Sequence, residues 1–233
     1  MADVATPIAR FQLDDGRAVA RYVVSGALSC GVMLTLLHTS PVHVATFDAL
    51  RDRIAPGTPL CHIVREDLME RARAEGVTPE IAAEVAALVS GESALCTCST
   101  LGAVAESAGA LRIDRPAMRM AAKSGRPVLV AFCLESTRAA TLSLLAEEMA
   151  RAQNPNPVQP ISISQAWVHF ERGDHDCFVA AIAEGIEAVL VDVTPVIVLA
   201  QASMAGAAPR LSRSGVQVLT TPEAALRAAM KSA

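Results

Sequence analysis

Short apolar runs alternate with alanine-rich helical stretches along this chain, and that alternation constrains the fold more than any single residue. GVMLTLLH (31–38) reads as a buried strand, a Thr-Ser-Pro turn follows, and VHVATFDALRDRI has helical periodicity. PLCHIV (59–64) is a second strand. PEIAAEVAALVSG (79–91) is a helix with Thr78 as N-cap, Pro79 in its first turn and Gly91 as its stop, and it leads into the strand ALCTC. The order then recurs. RPVLVAFCL (126–134), QPISISQAW (159–167) and PVIVLAQASM (195–204) are strands, interleaved with the helices RAATLSLLAEEMARA and DCFVAAIAEGIEAVL (176–190). The tail GVQVLTTPEAALRAAM adds a strand and a helix starting near Thr221 and Pro222. Buried strands separated by helices predict an α/β fold with mainly parallel sheets and helices on their faces. Residues 1–30 stand outside this pattern as an N-terminal extension, although FQLDDGRAVARY carries an Asp-Gly hairpin signal.

Laid over each other, the halves read as an internal duplication. HTSPVHVATFDALRDRI faces LESTRAATLSLLAEEM, and ALCTCSTLG faces VLAQASMAG, which sets Cys98 over Gln201, Thr100 over Ser203 and Gly102 over Gly206. The expectation is two pseudo-symmetric αβα lobes, residues 1–103 plus 206–233 and residues 104–205, with an active-site cleft between them.

Composition excludes several functions. Hydrophobic residues are 52% and charged residues 19%, as in ordered globular proteins. Aromatics at 3% argue against base-stacking platforms, and a net charge of −4 gives no basic patch, so neither nucleic acid nor an anionic membrane is an expected partner. The longest apolar candidate, AVLVDVTPVIVLAQASMAGAA, is broken by Asp192 and Pro195. The start of the chain has no basic n-region or apolar h-region, and the six cysteines are spread out, so free thiols in the cytoplasm are expected.

The stretch SALCTCSTLG (93–102) concentrates the chemistry. Cys-x-Cys without a second pair is a poor metal motif, His38, His43, His62, His169 and His175 are scattered, and no metal is expected. Asp174 or Asp176 reads as a helix cap. A disulfide across i and i+2 of a strand is geometrically poor, the Cα atoms lying ~6.5–7 Å apart. Cys96 is read as an inert core residue and Cys98 as the thiol exposed at the strand's carboxyl end, where open α/β sheets place their ligands. Amides opening the helix GAVAESA would stabilise a thiolate or bind a carboxylate. Taken alone, the residues leave both a core cysteine and a nucleophile open. Thr39, Ser40, Ser99, Thr100, Ser136, Thr137 and Ser203 form a set of neutral donors in the polar turns, suited to a small anion, with ordinary helix capping as the plainer reading. No nucleophile elbow, phosphate loop or dinucleotide fingerprint occurs.

CTCSTLG resembles the first cysteine motif of the aspartate/glutamate/hydantoin racemase superfamily, and VIVLAQASMAG resembles its second. LRIDRPAM (111–118) and VLTTPEAALRA (218–228) are also similar, so the resemblance runs from about Gly31 onward. It implies two αβα lobes crossed twice by the chain, no cofactor, and two cysteines facing each other across a substrate α-carbon. It also implies amides and hydroxyls of the polar turns on a small carboxylate substrate, and a homo-oligomer. Carried over, Cys98 is an acid/base or nucleophile, Ser99 and Thr100 are carboxylate contacts, and Thr39, Ser40, Ser136, Thr137 and Ser203 are further candidates. The departure is Gln201, which stands where the family has its second cysteine and cannot exchange a proton near neutral pH. The resemblance therefore implies a racemase-superfamily isomerase in which Gln201 orients the substrate. Its alternatives are a one-cysteine decarboxylase, lyase or cis–trans isomerase of a small diacid, a racemase recruiting His38 or His62 as second base, or a non-catalytic carboxylate-binding protein.

Overall fold

The computed structural model describes residues 9–12, 18–23, 33–90, 93–190, 195–211 and 216–232. They divide into two units, Met1–Ile113 with Ala225–Ala233 and Asp114–Ala224, so the chain leaves the first unit, builds the second and returns.

In the first unit β1 (Ala9–Gln12) and β2 (Ala18–Val23) pair antiparallel, with Ala9 opposite Arg21, as the Asp-Gly signal predicts. The repeat begins with β3 (Leu34–His38), α1 (Val42–Ile54), β4 (Leu60–Val64), α2 (Glu66–Glu75) and α3 (Pro79–Val89). It continues with β5 (Ala94–Cys96), α4 (Gly102–Ser107) and β6 (Leu111–Arg112). The sheet runs β1-β2-β4-β3-β5-β6, and its last four strands are mutually parallel. Residues 1–30 are thus not wholly a separate extension, because β2 docks antiparallel on β4 and widens the sheet.

Every residue of β3 is buried because helices cover both faces. Alternate residues split the packing. Leu37, Cys61, Ile63 and Cys96 join Leu68 of α2 and Ile81, Val85 and Val89 of α3 in one core cluster. The 81, 85, 89 spacing lays one stripe of α3 on the sheet, and each such side chain contributes roughly 1.5–3 kcal/mol on burial. Thr78 caps this helix, accepting from the Ile81 N–H at 3.4 Å; Gly91 lies outside the described residues.

The second unit opens with α5 (Arg115–Lys123), then β7 (Val128–Phe132), α6 (Arg138–Arg151), β8 (Val158–Ser162), α7 (Trp167–Glu171) and α8 (His175–Glu187). β9 (Val196–Leu199) and β10 (Gln217–Thr220) complete a parallel sheet of order β10-β9-β7-β8. The last helix, α9 (Thr221–Ser232), carries the chain back into the first unit. Val128, Val130 and Phe132 face the α5 and α6 layer, while Leu129 and Ala131 face Phe178, Ile182 and Ile186 of α8.

The parallel strands of the two units have the same order, β4-β3-β5-β6 and β8-β7-β9-β10, so the duplication read in the sequence is a duplication of topology. Two strands end well before their expected runs. β8 is an edge strand carrying Pro160 and stops at Ser162, after which Ser164–Ala166 forms a 3-10 turn and Trp167 starts α7. β9 stops at Leu199, where the Gln201 carbonyl turns to accept the Met204 N–H at 3.0 Å and Ala202–Leu211 becomes 3-10 helix. Among the described residues no helix is long and apolar enough to cross a membrane.

Candidate functional site

In the first unit the polar turns follow β3 and β5. Pairing continues one residue past β5, with the Thr97 N–H donating to the Leu37 carbonyl at 2.9 Å, and the chain then turns through Ser99, whose carbonyl accepts from Gly102 at 3.3 Å. Gly102 packs closely on β6: a Cβ there would meet Arg112 Nε at 3.2 Å and Arg112 Cβ at 3.3 Å.

The structure corrects the reading of the two thiols. Cys98 is 5% exposed, not open to solvent, and it lies in the same apolar cluster as Cys96, Leu101 and Ala105. Residues i and i+2 share a face, so alternation brings the two thiols to one side of the sheet instead of separating them. Cys96 Sγ reaches the Cys98 carbonyl at 3.6 Å. The five described cysteines are all free thiols. Thr39, Ser40, Ser99 and Thr100 are half-buried, and none of their hydroxyls bonds to a described residue.

On the opposite face, Thr97 Oγ1 lies 2.8 Å from His38 Nδ1, His38 Nε2 lies 2.8 Å from His62 Nδ1, and His62 Nε2 lies 3.3 Å from Asp48 Oδ1. Thr97, His38 and His62 are buried. Burial, with the neighbouring His62 and His43, holds His38 well below the usual imidazole range. Burial also lowers His62 against the opposing pull of Asp48, and lowers His43 to about 4. The two histidines weighed as alternative bases are therefore neutral and bonded to each other.

In the second unit Gln201 follows β9. Its Oε1 accepts from the backbone N–H of Cys133 at 2.5 Å and of Leu134 at 3.1 Å, tying β9 to the end of β7. Two N–H donors demand an acceptor, which fixes the carboxamide: oxygen inward, NH2 turned away and bonded to no described residue. Gln201 can donate to a ligand but has no acceptor left. Thr137 is buried and spends its hydroxyl on the Leu134 carbonyl at 2.7 Å, whereas Ser136 is exposed and Ser203 half-buried. Cys133 is buried, and burial pushes its thiol up to about 12. Among the described residues one trio could hold a metal: ligand atoms of His169, Asp174 and Cys177 lie within 4.8 Å of one another at the α7–α8 corner. Asp174 is already engaged there as the cap of α8, accepting from the Cys177 N–H at 3.1 Å, and its charge raises the Cys177 thiol.

Comparison with solved structures identifies the fold. Aspartate racemase of Picrophilus torridus superposes with a TM-score of 0.64 at 14% identity, covering 87% of this chain and 94% of that one. An aspartate racemase homologue from Pyrococcus horikoshii gives 0.59 at 12% identity, covering 86% and 98%. The chain therefore has the fold of these aspartate racemases. Allantoin racemase from Pseudomonas fluorescens shares it at 0.54 and 15% identity, covering 85% of this chain and 89% of that one. No family model and no curated protein sequence matches the chain. Within the racemase fold the two positions matched in sequence are also matched in place, since Cys98 and Gln201 each stand just beyond the third parallel strand of their own unit.

Proposed function

We propose that the chain is a cofactor-independent enzyme of the racemase superfamily acting on a small carboxylic acid, with Cys98 as its one acid/base thiol. The racemase fold supports the class, and the locked carboxamide of Gln201 carries the finer reading. The second motif supplies a donor and no base, so chemistry at the substrate α-carbon is one-sided. Cys98 thiolate takes the α-proton, the C–H pair becomes an enolate, and the charge on the enolate oxygen is held by donors including the Gln201 NH2. The new S–H returns its proton to carbon. Thr39, Ser40, Ser99, Thr100, Ser136 and Ser203 serve as neutral donors to the carboxylate, while Thr137 holds its turn together.

The same donor-only Gln201 favours decarboxylation as the second reading, in which CO2 leaves, the enolate forms and Cys98 delivers one proton to one face. The near-complete burial of Cys98 favours a third, a carboxylate-binding protein without turnover. NMR in D2O over α-amino acids, hydantoins and small diacids separates them. Deuterium incorporation at the α-carbon supports proton transfer, loss of CO2 supports the decarboxylase, and saturable binding without either leaves the binding protein.

A further inference from the structure

The hydrogen bonds from Thr97 to Asp48 have a forced direction. A carboxylate only accepts, so His62 Nε2 carries the hydrogen facing Asp48. His62 is neutral, so its Nδ1 is a lone pair and must accept from His38 Nε2–H. His38 is neutral as well, so its Nδ1 accepts from the Thr97 hydroxyl. Every hydrogen in the chain points toward Asp48, whose side chain is 22% exposed while that of His62 is fully buried.

A second acceptor makes the chain reversible. The Leu37 carbonyl lies 3.1 Å from Thr97 Oγ1, so the hydroxyl has somewhere to point once His38 Nδ1 holds a proton. We infer that Thr97, His38, His62 and Asp48 form a proton relay between the carboxyl end of β5 and solvent. In one passage an acidic group of a bound ligand or a water at the carboxyl end of β5 gives a proton to Thr97 Oγ1 and is left as its conjugate base, while Thr97 gives its own proton to His38 Nδ1. His38 Nε2 then gives its proton to His62 Nδ1, and His62 Nε2 gives its proton to Asp48. Thr97 Oγ1 gains one proton and loses one, each histidine gains one at Nδ1 and loses one at Nε2, Asp48 gains one, and the net result is one proton moved to Asp48. The end state has Thr97 donating to Leu37, His38 Nδ1–H donating to Thr97, His62 Nδ1–H donating to His38, and a neutral Asp48 donating to His62. All of these contacts already exist. The reverse passage admits a proton from solvent.

The charged and titratable groups around the relay are few. From α1, Arg51 approaches Asp48 at 3.7 Å and His43 stacks obliquely on His38 at 6.2 Å between ring centres, with Phe47 closing the side at 5.7 Å. Thr97 directly precedes Cys98, and His38 directly precedes Thr39 and Ser40, so the inner end lies in the chain segments that carry the proposed site. The Cys98 thiol lies on the opposite face, so a proton passing between it and Thr97 crosses a bound water or ligand at the strand end; that role rests on the function proposed above, and the relay is testable without substrate.

With 15N-labelled histidine, NMR of the resting protein should show both His38 and His62 as Nε2–H tautomers. Their buried ring protons should exchange with D2O together, and Asp48→Asn should slow both at least tenfold, because a carboxamide oxygen accepts the His62 hydrogen bond but cannot take the proton. Thermal melting of Asp48→Asn close to that of the parent separates blocked transfer from unfolding. An Nδ1–H tautomer at either histidine, or ring-proton exchange unchanged in Asp48→Asn, overturns the relay. Neither outcome touches the role of Cys98, which is read by activity alone.

Discussion

Gln201 Oε1 sits 2.5 Å from the backbone nitrogen of Cys133, so the side chain that follows β9 closes one strand end onto another. A carboxamide satisfies two strand-end N–H groups and keeps a donor, which a thiol cannot do.

The structural and chemical parts of Gln201 can therefore be separated. Gln201→Ala leaves two strand-end N–H groups without their acceptor and should lower stability by about 1–3 kcal/mol in urea unfolding. Gln201→Glu keeps the acceptor, so it should stay near the parent stability while losing the outward donor and slowing turnover. Equal stability of Gln201→Ala and the parent would refute the structural half.

Acid should destabilise the protein before its carboxylates titrate. Burial lowers His43 from 6.5 to about 4, and lowers His38 and His62 as well. Below pH ~6.5 the unfolded chain takes up protons that the folded chain refuses, so stability is complete above that pH and falls as pH drops toward 4. His43 alone accounts for at most about 1.4 kcal/mol per pH unit in this window. His43→Gln should flatten the slope of stability against pH between 6.5 and 4.5 by close to one proton; an unchanged slope would show that His43 titrates normally.

The thiols should react in an order set by exposure. Cys177 is the exposed one, and Asp174 raises its pKa, so Asp174→Asn should speed its alkylation by iodoacetamide severalfold. Cys98 should follow more slowly because it is buried, and Cys133, pushed up to about 12, should be slower still. Mass spectrometry of peptides over time gives the order directly, and Cys133 reacting before Cys177 would contradict it.

Glu148 is 2% exposed and lies 2.7 Å from Arg115 and 3.1 Å from Arg119. Its own burial works to raise the carboxyl pKa, but the two guanidinium groups outweigh that and hold it below the usual range. Glu148→Ala takes the 2.7 Å partner from Arg115, leaves it Glu147 at 3.2 Å, and should cost about 1–3 kcal/mol, whereas a hydrophobic replacement of Glu148, Arg115 and Arg119 together should cost less. Equal losses in the two variants would show that the ion pair itself, and not the weakened pairing of the remaining guanidinium groups, matters.

Most of the fold is legible in the chain because buried parallel strands write themselves as unbroken apolar runs. LTLLH, VLVAF and VIVL each give a strand, and the Thr78-Pro79 start gives α3. The relay is not legible as a unit, since Asp48, His38, His62 and Thr97 come from four separate segments and meet only when β3, β4 and β5 align beneath α1. The burial of Cys98 also escapes a reading by position, because strand pairing continues through Thr97 and carries the thiol onto the covered face with Cys96, Leu101 and Ala105. Gln201 is visible as a departure from the cysteine motif, but its orientation depends on N–H groups of a neighbouring strand end.

The central claim is that Cys98 carries the proton. The direct measurement is α-proton exchange with D2O by NMR on the best substrate of the screen, comparing the parent with Cys98→Ser, which keeps size but not thiol acidity. The account predicts a loss of at least about a thousandfold in Cys98→Ser, with substrate binding retained in calorimetry. Exchange at the parental rate in Cys98→Ser would contradict it.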